Sequence, residues 1–292
     1  MPQSGDILPG PIRLESELYR RNTGSIWSAV HEGRGQRVSV KIPSAETLRD
    51  DDELEQRLRL ESRATTEIRS PHVVRVVEDG RTESGTPFVV MEELVGEPLS
   101  ALIERRAPLP LADVDRIVGQ VAGGLSAAHA VGIVHRDINP ETIFLHGKGS
   151  RPTVKIVDFG IAKVVGGRLD DLHLTRHGRL LGNPAYISPE RARAKKATIH
   201  ADMWALAVVA YEALTGELPF DGGGVGSMLI RIIEHRFEAP SHVAPHLKRE
   251  VDAWFEQAFA EDIDARFNTV HDMATSLSMA LAATDTELDW SL

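Results

Sequence analysis

The chain has 292 residues, 42% of them hydrophobic and 26% charged, enough apolar material for a sizeable core and too much for a predominantly disordered chain. Forty-three acidic residues against 33 basic ones leave a net charge of −10, which argues against a nucleic-acid partner. The absence of cysteine excludes disulfides, thiolate metal sites and a cysteine nucleophile, and suits a reducing, cytoplasmic setting.

The first ten residues carry no basic cluster followed by an apolar run, so residues 1–10 read as a polar tail and no export is expected. From 11 to 91, short β-branched runs at 26–30, 38–42, 73–77 and 88–91 alternate with glycine-containing turns, the pattern of a small twisted sheet. One helix interrupts them. Leu54, Leu58 and Ile68 share a face, and the acids at 50–53 lie near its start, where the helix dipole favours negative charge.

Past Gly96-Glu97-Pro98 the period changes, and 111–131, 201–214, 225–235, 247–260 and 269–283 read as helices. No long linker separates the halves near 92–96, so they are expected to face each other across a hinge, with a ligand crevice between. The most apolar stretches, 118–134 and 203–214, are interrupted well short of the ~20 residues of a bilayer span, so no membrane-spanning segment is expected. Residues 284–292 read as an acidic tail.

Two glycine clusters are set aside. Gly222-Gly223-Gly224-Val225-Gly226 follows no strand and precedes no Lys-Ser/Thr, so it reads as an interhelical loop, and Gly147-Lys148-Gly149-Ser150 reads as a hairpin turn. The twelve histidines show no metal-binding spacing.

The chemistry concentrates in His135-Arg136-Asp137-Ile138-Asn139-Pro140-Glu141-Thr142 and in Asp158-Phe159-Gly160, with Asp158 following Asp137 by 21 residues. Both lie beside short β-like runs, so the two carboxylates could face one site. Asp137 would then orient a hydroxyl nucleophile and accept its proton, and Asp158 would ligate a divalent metal on a nucleotide polyphosphate. Downstream come Gly182-Asn183-Pro184-Ala185-Tyr186-Ile187-Ser188-Pro189-Glu190, Asp202-Met203-Trp204 and Arg266.

With these motifs in this order, residues 11–283 resemble the protein kinase family, in its bacterial eukaryotic-like Ser/Thr branch. The resemblance implies an α+β, bilobal fold: a small β-rich N-lobe with one main helix (11–94) and a larger, mainly α-helical C-lobe (95–283). It implies ATP with Mg²⁺ or Mn²⁺ as cofactors, a protein substrate or signalling partner, and transfer of the γ-phosphoryl group to protein serine or threonine. In Val38-Ser39-Val40-Lys41, Lys41 matches the phosphate-holding lysine, and Glu61 its helical partner. Met91 resembles the gatekeeper, with Glu92 to Leu94 as the hinge; Leu18, Ile26 and Phe144 resemble the adenine walls, and Gly24 a remnant of the glycine-rich loop. Thr142 falls at the second metal-ligand position. Thr175 is the candidate activation-loop phosphosite, opposite Arg136. Glu190 with Arg266, and Asp202 behind the catalytic loop, match structural positions.

Several residues depart from the family pattern. Tyr19 and Arg21 occupy glycine positions of the phosphate loop, where a Cβ hinders close backbone approach, although Arg20 and Arg21 could bring charge. Asn139 replaces the catalytic-loop lysine, Thr142 the metal-binding asparagine and Asn183 a threonine. Positions 139 and 142 are expected in the open cleft. These departures raise an alternative, a pseudokinase acting as a nucleotide-binding or non-catalytic interaction module.

Overall fold

The computed structural model describes residues 2–21, 24–44, 48, 62, 65–147, 149, 151–159, 163–164 and 183–285. Its first sheet holds β1 (Ile7–Leu8), β2 (Ile12–Arg21), β3 (Gly24–His31), β4 (Gln36–Pro43), β5 (Val76–Arg81) and β6 (Pro87–Glu92). They run antiparallel in the order β1-β2-β3-β4-β6-β5. Alternation explains the sheet: Ile12 and Leu14 on β2, Trp27 and Ala29 on β3, and Val38, Val40 and Ile42 on β4 are buried in one cluster with Phe88 and Val90. A two-residue period puts such side chains on one face, and each large one stabilises the fold by about 1.5–3 kcal/mol.

The N-terminal boundary differs from the sequence expectation. Residues 1–10 were expected as a tail, but β1 pairs with β2 and Leu8 is buried in the sheet's core. Most of the expected helix between β4 and β5, including Leu54, Leu58 and Glu61, lies outside the described residues; 65–67 are helical.

The chain leaves this sheet at β7 (Gly96–Pro98), which pairs with β9 (Ile143–His146); β9 pairs in turn with β10 (Thr153–Ile156). Strand β7 therefore belongs to the second half, and β9 and β10 pair antiparallel on either side of the expected hairpin turn, of which Lys148 and Ser150 lie outside the described residues. Gly96 is obligatory, because a Cβ there would lie 1.9 Å from Leu145 O. The preceding half also reaches across. Ile68 and Val73 pack in the C-terminal core, Val74 N–H donates to Ile156 O at 2.9 Å and Ile156 N–H to His72 O at 2.8 Å.

The second half contains α1 (Leu99–Arg106), α2 (Leu111–Ala130), the two-stranded pair β8 (Ile133–Val134) and β11 (Lys163–Val164), then α3 (Pro189–Ala192), α4 (Ile199–Thr215), α5 (Val225–Ile233), α6 (Pro240–Val243), α7 (Arg249–Ala258) and α8 (Val270–Asp285). Helix α4 is apolar all round, as a helix wrapped by others must be; fourteen of its 17 residues are buried. Thr198 caps its start, and Gly216 ends it in the left-handed conformation at φ +80°. Helix α8 runs to Asp285 with Thr284 buried, so the expected acidic tail begins as helix. Among the described residues, no helix is long and apolar enough to cross a membrane.

Candidate active site

The site is assembled on Asp202, which α4 carries into the protein interior at 0% exposure. Its Oδ2 accepts from the backbone N–H of His135 at 2.8 Å and from His129 Nε2 at 2.9 Å, and its Oδ1 from the N–H of Arg136 at 2.7 Å. Burial opposes ionisation, yet the His129 hydrogen bond, the charges of His129 and His135 and the Arg136 N–H hold the carboxyl below the ordinary aspartate value. This bracing allows Arg136 to sit at φ +71°, a conformation that costs a non-glycine residue about 1–3 kcal/mol unless its surroundings enforce it.

The two acidic motifs interlock through His135. Its ring accepts at Nδ1 from Asp137 N–H (3.3 Å) and donates at Nε2 to Val157 O (3.0 Å). Phe159, 1% exposed, packs edge-on against that ring with centroids 4.5 Å apart. Asp158 follows the bonded Val157 at φ +62° and meets Lys41 from the first sheet, Nζ to Oδ1 2.7 Å. Lys41 and Asp158 are 26% and 44% exposed, so the pair is open to solvent. Asp137 is half-buried, and burial pushes its carboxyl above the usual range; His135, then Arg191 and the Asn139 amide, oppose that shift while Asp158 adds to it. The structure thus brings Asp137, Asp158 and Lys41 to one cleft.

The expected open positions of Asn139 and Thr142 are corrected: each is only 5% exposed. Asn139 Nδ2 donates to Asp137 O at 2.9 Å and its Oδ1 accepts from Glu141 N–H. The Thr142 hydroxyl bonds Asp137 O and Asn139 O and accepts from Asn139 N–H. Its oxygen is thus turned into the loop it closes and away from the role of a metal ligand. A short β-branched side chain can satisfy backbone groups at this range, which is why the hydroxyl points inward.

Among the nucleotide-pocket candidates, Ile26, Met91, Leu94 and Phe144 are half-buried and Leu18 is 51% exposed. Glu92 uses its carboxylate elsewhere, bonding Lys155 Nζ at 2.6 Å and Arg75 N–H at 2.9 Å, and its own N–H donates to Arg75 O at 2.9 Å. Gly24 has a reason of its own. At φ +153°, a Cβ there would lie 2.4 Å from Ile42 O, so the glycine is required by the approach of β3 to β4 rather than by a phosphate. Arg20, expected as a possible phosphate charge, is engaged by Glu17, with Nε to Oε1 at 2.6 Å. Glu61, Gly160, Thr175 and Gly182 lie outside the described residues.

The donor set fits a nucleotide polyphosphate with a divalent cation: an ammonium for phosphate oxygens and a carboxylate for the cation, paired with each other at 2.7 Å. With Thr142 committed, Asp158 is the side chain placed for the cation. Two supports beneath the cleft match the sequence reading: Asp202, and the buried pair of Glu190 and Arg266 at 3.3 Å. Sequence reasoning missed Arg191 on α3, whose Nη1 donates to Arg136 O. No motif marks it, since it reads as one more charge beside Glu190.

Residues 15–277 match the protein kinase domain family. The chain is 35% identical over 274 residues to serine/threonine-protein kinase Pkn1 of Myxococcus xanthus, covering 94% of this chain and 38% of that protein. It is 34% identical over 272 residues to serine/threonine-protein kinase PknA of Mycobacterium tuberculosis, covering 92% and 61% respectively. The chain therefore spans less than two thirds of either relative. In fold it is similar to the PknI kinase domain of Mycobacterium tuberculosis, with a TM-score of 0.75 at 23% identity over 96% of this chain and 99% of that one. Both relatives are named as kinases, and the comparisons lend no support to the pseudokinase alternative.

Proposed function

Because the chain belongs to the protein kinase family, we propose that it transfers the γ-phosphoryl group of ATP to serine or threonine hydroxyls of a protein. The observation that carries the reading is the interlock of the two loops, in which His135 bonds Asp137 on one side and Val157, the residue before Asp158, on the other. Bound ATP with Mg²⁺ or Mn²⁺ supplies the phosphoryl group and neutralises its charge.

The chain's own residues do the rest. Lys41 holds phosphate oxygens and Asp158 the cation. Asp137 orients the acceptor hydroxyl and takes its proton, for which it must be ionised; its raised pKa moves the acid limb of the rate profile above the ordinary aspartate range. Ile26 and Phe144 wall the base. Preorganisation is the main contribution, since phosphoryl transfer asks mostly for position and charge.

The test is transfer from γ-labelled ATP, with Mg²⁺ or Mn²⁺, to protein and aminoglycoside acceptors. Asp137-dependent labelling of protein serine or threonine is expected, and Asp137→Ala should lose about 10²- to 10⁴-fold. Calorimetry should show ATP binding weakened by EDTA and by Asp158→Ala. A folded wild-type chain that labels no protein serine or threonine, whether or not it labels the aminoglycoside, refutes the reading.

A further inference from the structure

This inference rests on the kinase reading above and assigns a residue to it. Asn139 leaves the catalytic loop without a basic side chain at its second position after Asp137, and its neutral amide is folded back onto Asp137, at 2.9 Å from O and 3.3 Å from Oδ1. A carboxylate that is half-buried and shares its cleft with Asp158 needs a compensating charge. His135 favours the carboxylate too, but an imidazole does not offer a permanent charge, and both its nitrogens are committed, to Asp137 N–H and to Val157 O.

Arg191 is placed to do so. Helix α3 begins at Pro189, and its second residue, Glu190, is anchored by Arg266 in a buried pair. That anchor fixes the direction in which the next residue leaves the helix. Arg191 turns into the protein and donates from Nη1 to Arg136 O. Residue 136 is thereby gripped from both ends, its N–H by Asp202 and its C=O by Arg191, which over-determines the left-handed backbone that aims Asp137. The guanidinium also lies within electrostatic reach of Asp137 and Asp202.

We propose that Arg191 is the positioning residue that supplies, from helix α3, the positive charge absent at position 139 and locks the backbone that presents Asp137. It acts through Asp137 and Arg136 O and need not touch the substrate. A guanidinium suits this role because it stays charged when buried, and its fork can hold a carbonyl while its charge serves a carboxylate.

The experiment compares wild type, Arg191→Gln, Arg191→Lys, Asn139→Lys and Arg191→Gln/Asn139→Lys, in full-length protein, by kcat and by KM for ATP, with thermal melting alongside. Arg191→Gln should lower kcat about 10- to 100-fold with KM for ATP changed less than about threefold, since the lost interaction acts on the transferring geometry and not on nucleotide binding. Arg191→Lys should recover most of that loss. Adding Asn139→Lys to Arg191→Gln should restore at least about tenfold.

In a chain that keeps Arg191, Asn139→Lys should gain less than about threefold, because the charge is already present. That arm needs no change at Arg191 and decides the matter if Arg191→Gln does not fold: a gain of about tenfold or more overturns the proposal. So does a folded Arg191→Gln within about twofold of wild-type kcat, or equal losses in Arg191→Gln and Arg191→Lys. Wild-type protein without Asp137-dependent transfer refutes the kinase reading itself, and this assignment with it.

Discussion

On the C-terminal side of the cleft, residues 135–137 are held by Asp202 on α4, by Arg191 on α3 and by Phe159 against the His135 ring. On the N-terminal side, the β2–β3 hairpin is aligned mainly by its own antiparallel ladder, which shifts register between Leu14 and Ser16 and again between Glu17 and Tyr19. The first wall draws its shape from buried groups supplied by distant parts of the chain. The second draws it from strand pairing, from the apolar cluster it shares with β4 and β6 and from one glycine. Redundancy sits at the loop that carries Asp137, and local economy along the β2–β3 hairpin.

The largest expected effect follows from removing the redundant wall's centre. Asp202→Ala leaves two buried N–H groups and His129 without their acceptor, and should destabilise the chain by about 3–5 kcal/mol in urea unfolding. The sign with pH is fixed by the depressed carboxyl of Asp202. Its stabilisation is complete above the unfolded aspartate value of about 3.9 and is lost as pH falls through the lower folded value. The gap between wild type and variant should therefore be full at pH 6 and shrink below about pH 4. A gap independent of pH would mean that Asp202 acts through packing alone.

Next in size is Gly24→Ala on the opposite wall. The added Cβ would meet Ile42 O at 2.4 Å and Pro43 Cα at 2.8 Å, so β3 must shift away from β4 at a cost of about 1–3 kcal/mol. Urea unfolding measures it. Unchanged stability would show that this hairpin yields more readily than its strand register suggests.

The same asymmetry governed what could be read before the fold was seen. The long helices were legible, because α2 and α4 carry sustained apolar patterns; 111–131 and 201–214 were expected, against 111–130 and 199–215 observed. Strand β2 was not among the expected runs: its buried Ile12 and Leu14 give way to the exposed Leu18 and Tyr19, and its register shifts break the alternation. Helix α1 escaped notice because it buries only Leu99 and Ile103, too few for a periodic signal. In the site, Asp137, Asp158 and Lys41 were found by motif. Asn139 and Thr142 were recognised as departures but misplaced in the open, since hydrogen bonds to the backbone of their own loop leave no trace in composition. Arg191 depends on a contact 55 residues distant in sequence, which no local pattern encodes.

The smallest effect expected tests what the lightly built wall contributes. Tyr19 pairs with Ile26 across β2 and β3 and is 45% exposed, so its side chain fills no core and its removal should cost at least the ~0.5–1 kcal/mol of glycine's added chain entropy in a strand. Tyr19→Gly would let the backbone come closer to a nucleotide phosphate. Such contacts are made alike in the ground and transition states, and uniform binding lowers KM without raising kcat. Steady-state kinetics should show KM for ATP falling by no more than about tenfold, equivalent to about 1.4 kcal/mol, with kcat within about twofold. A rise in kcat of tenfold or more would place the hairpin among the groups that aim the reacting atoms, and the division of labour between the two walls would have to be abandoned.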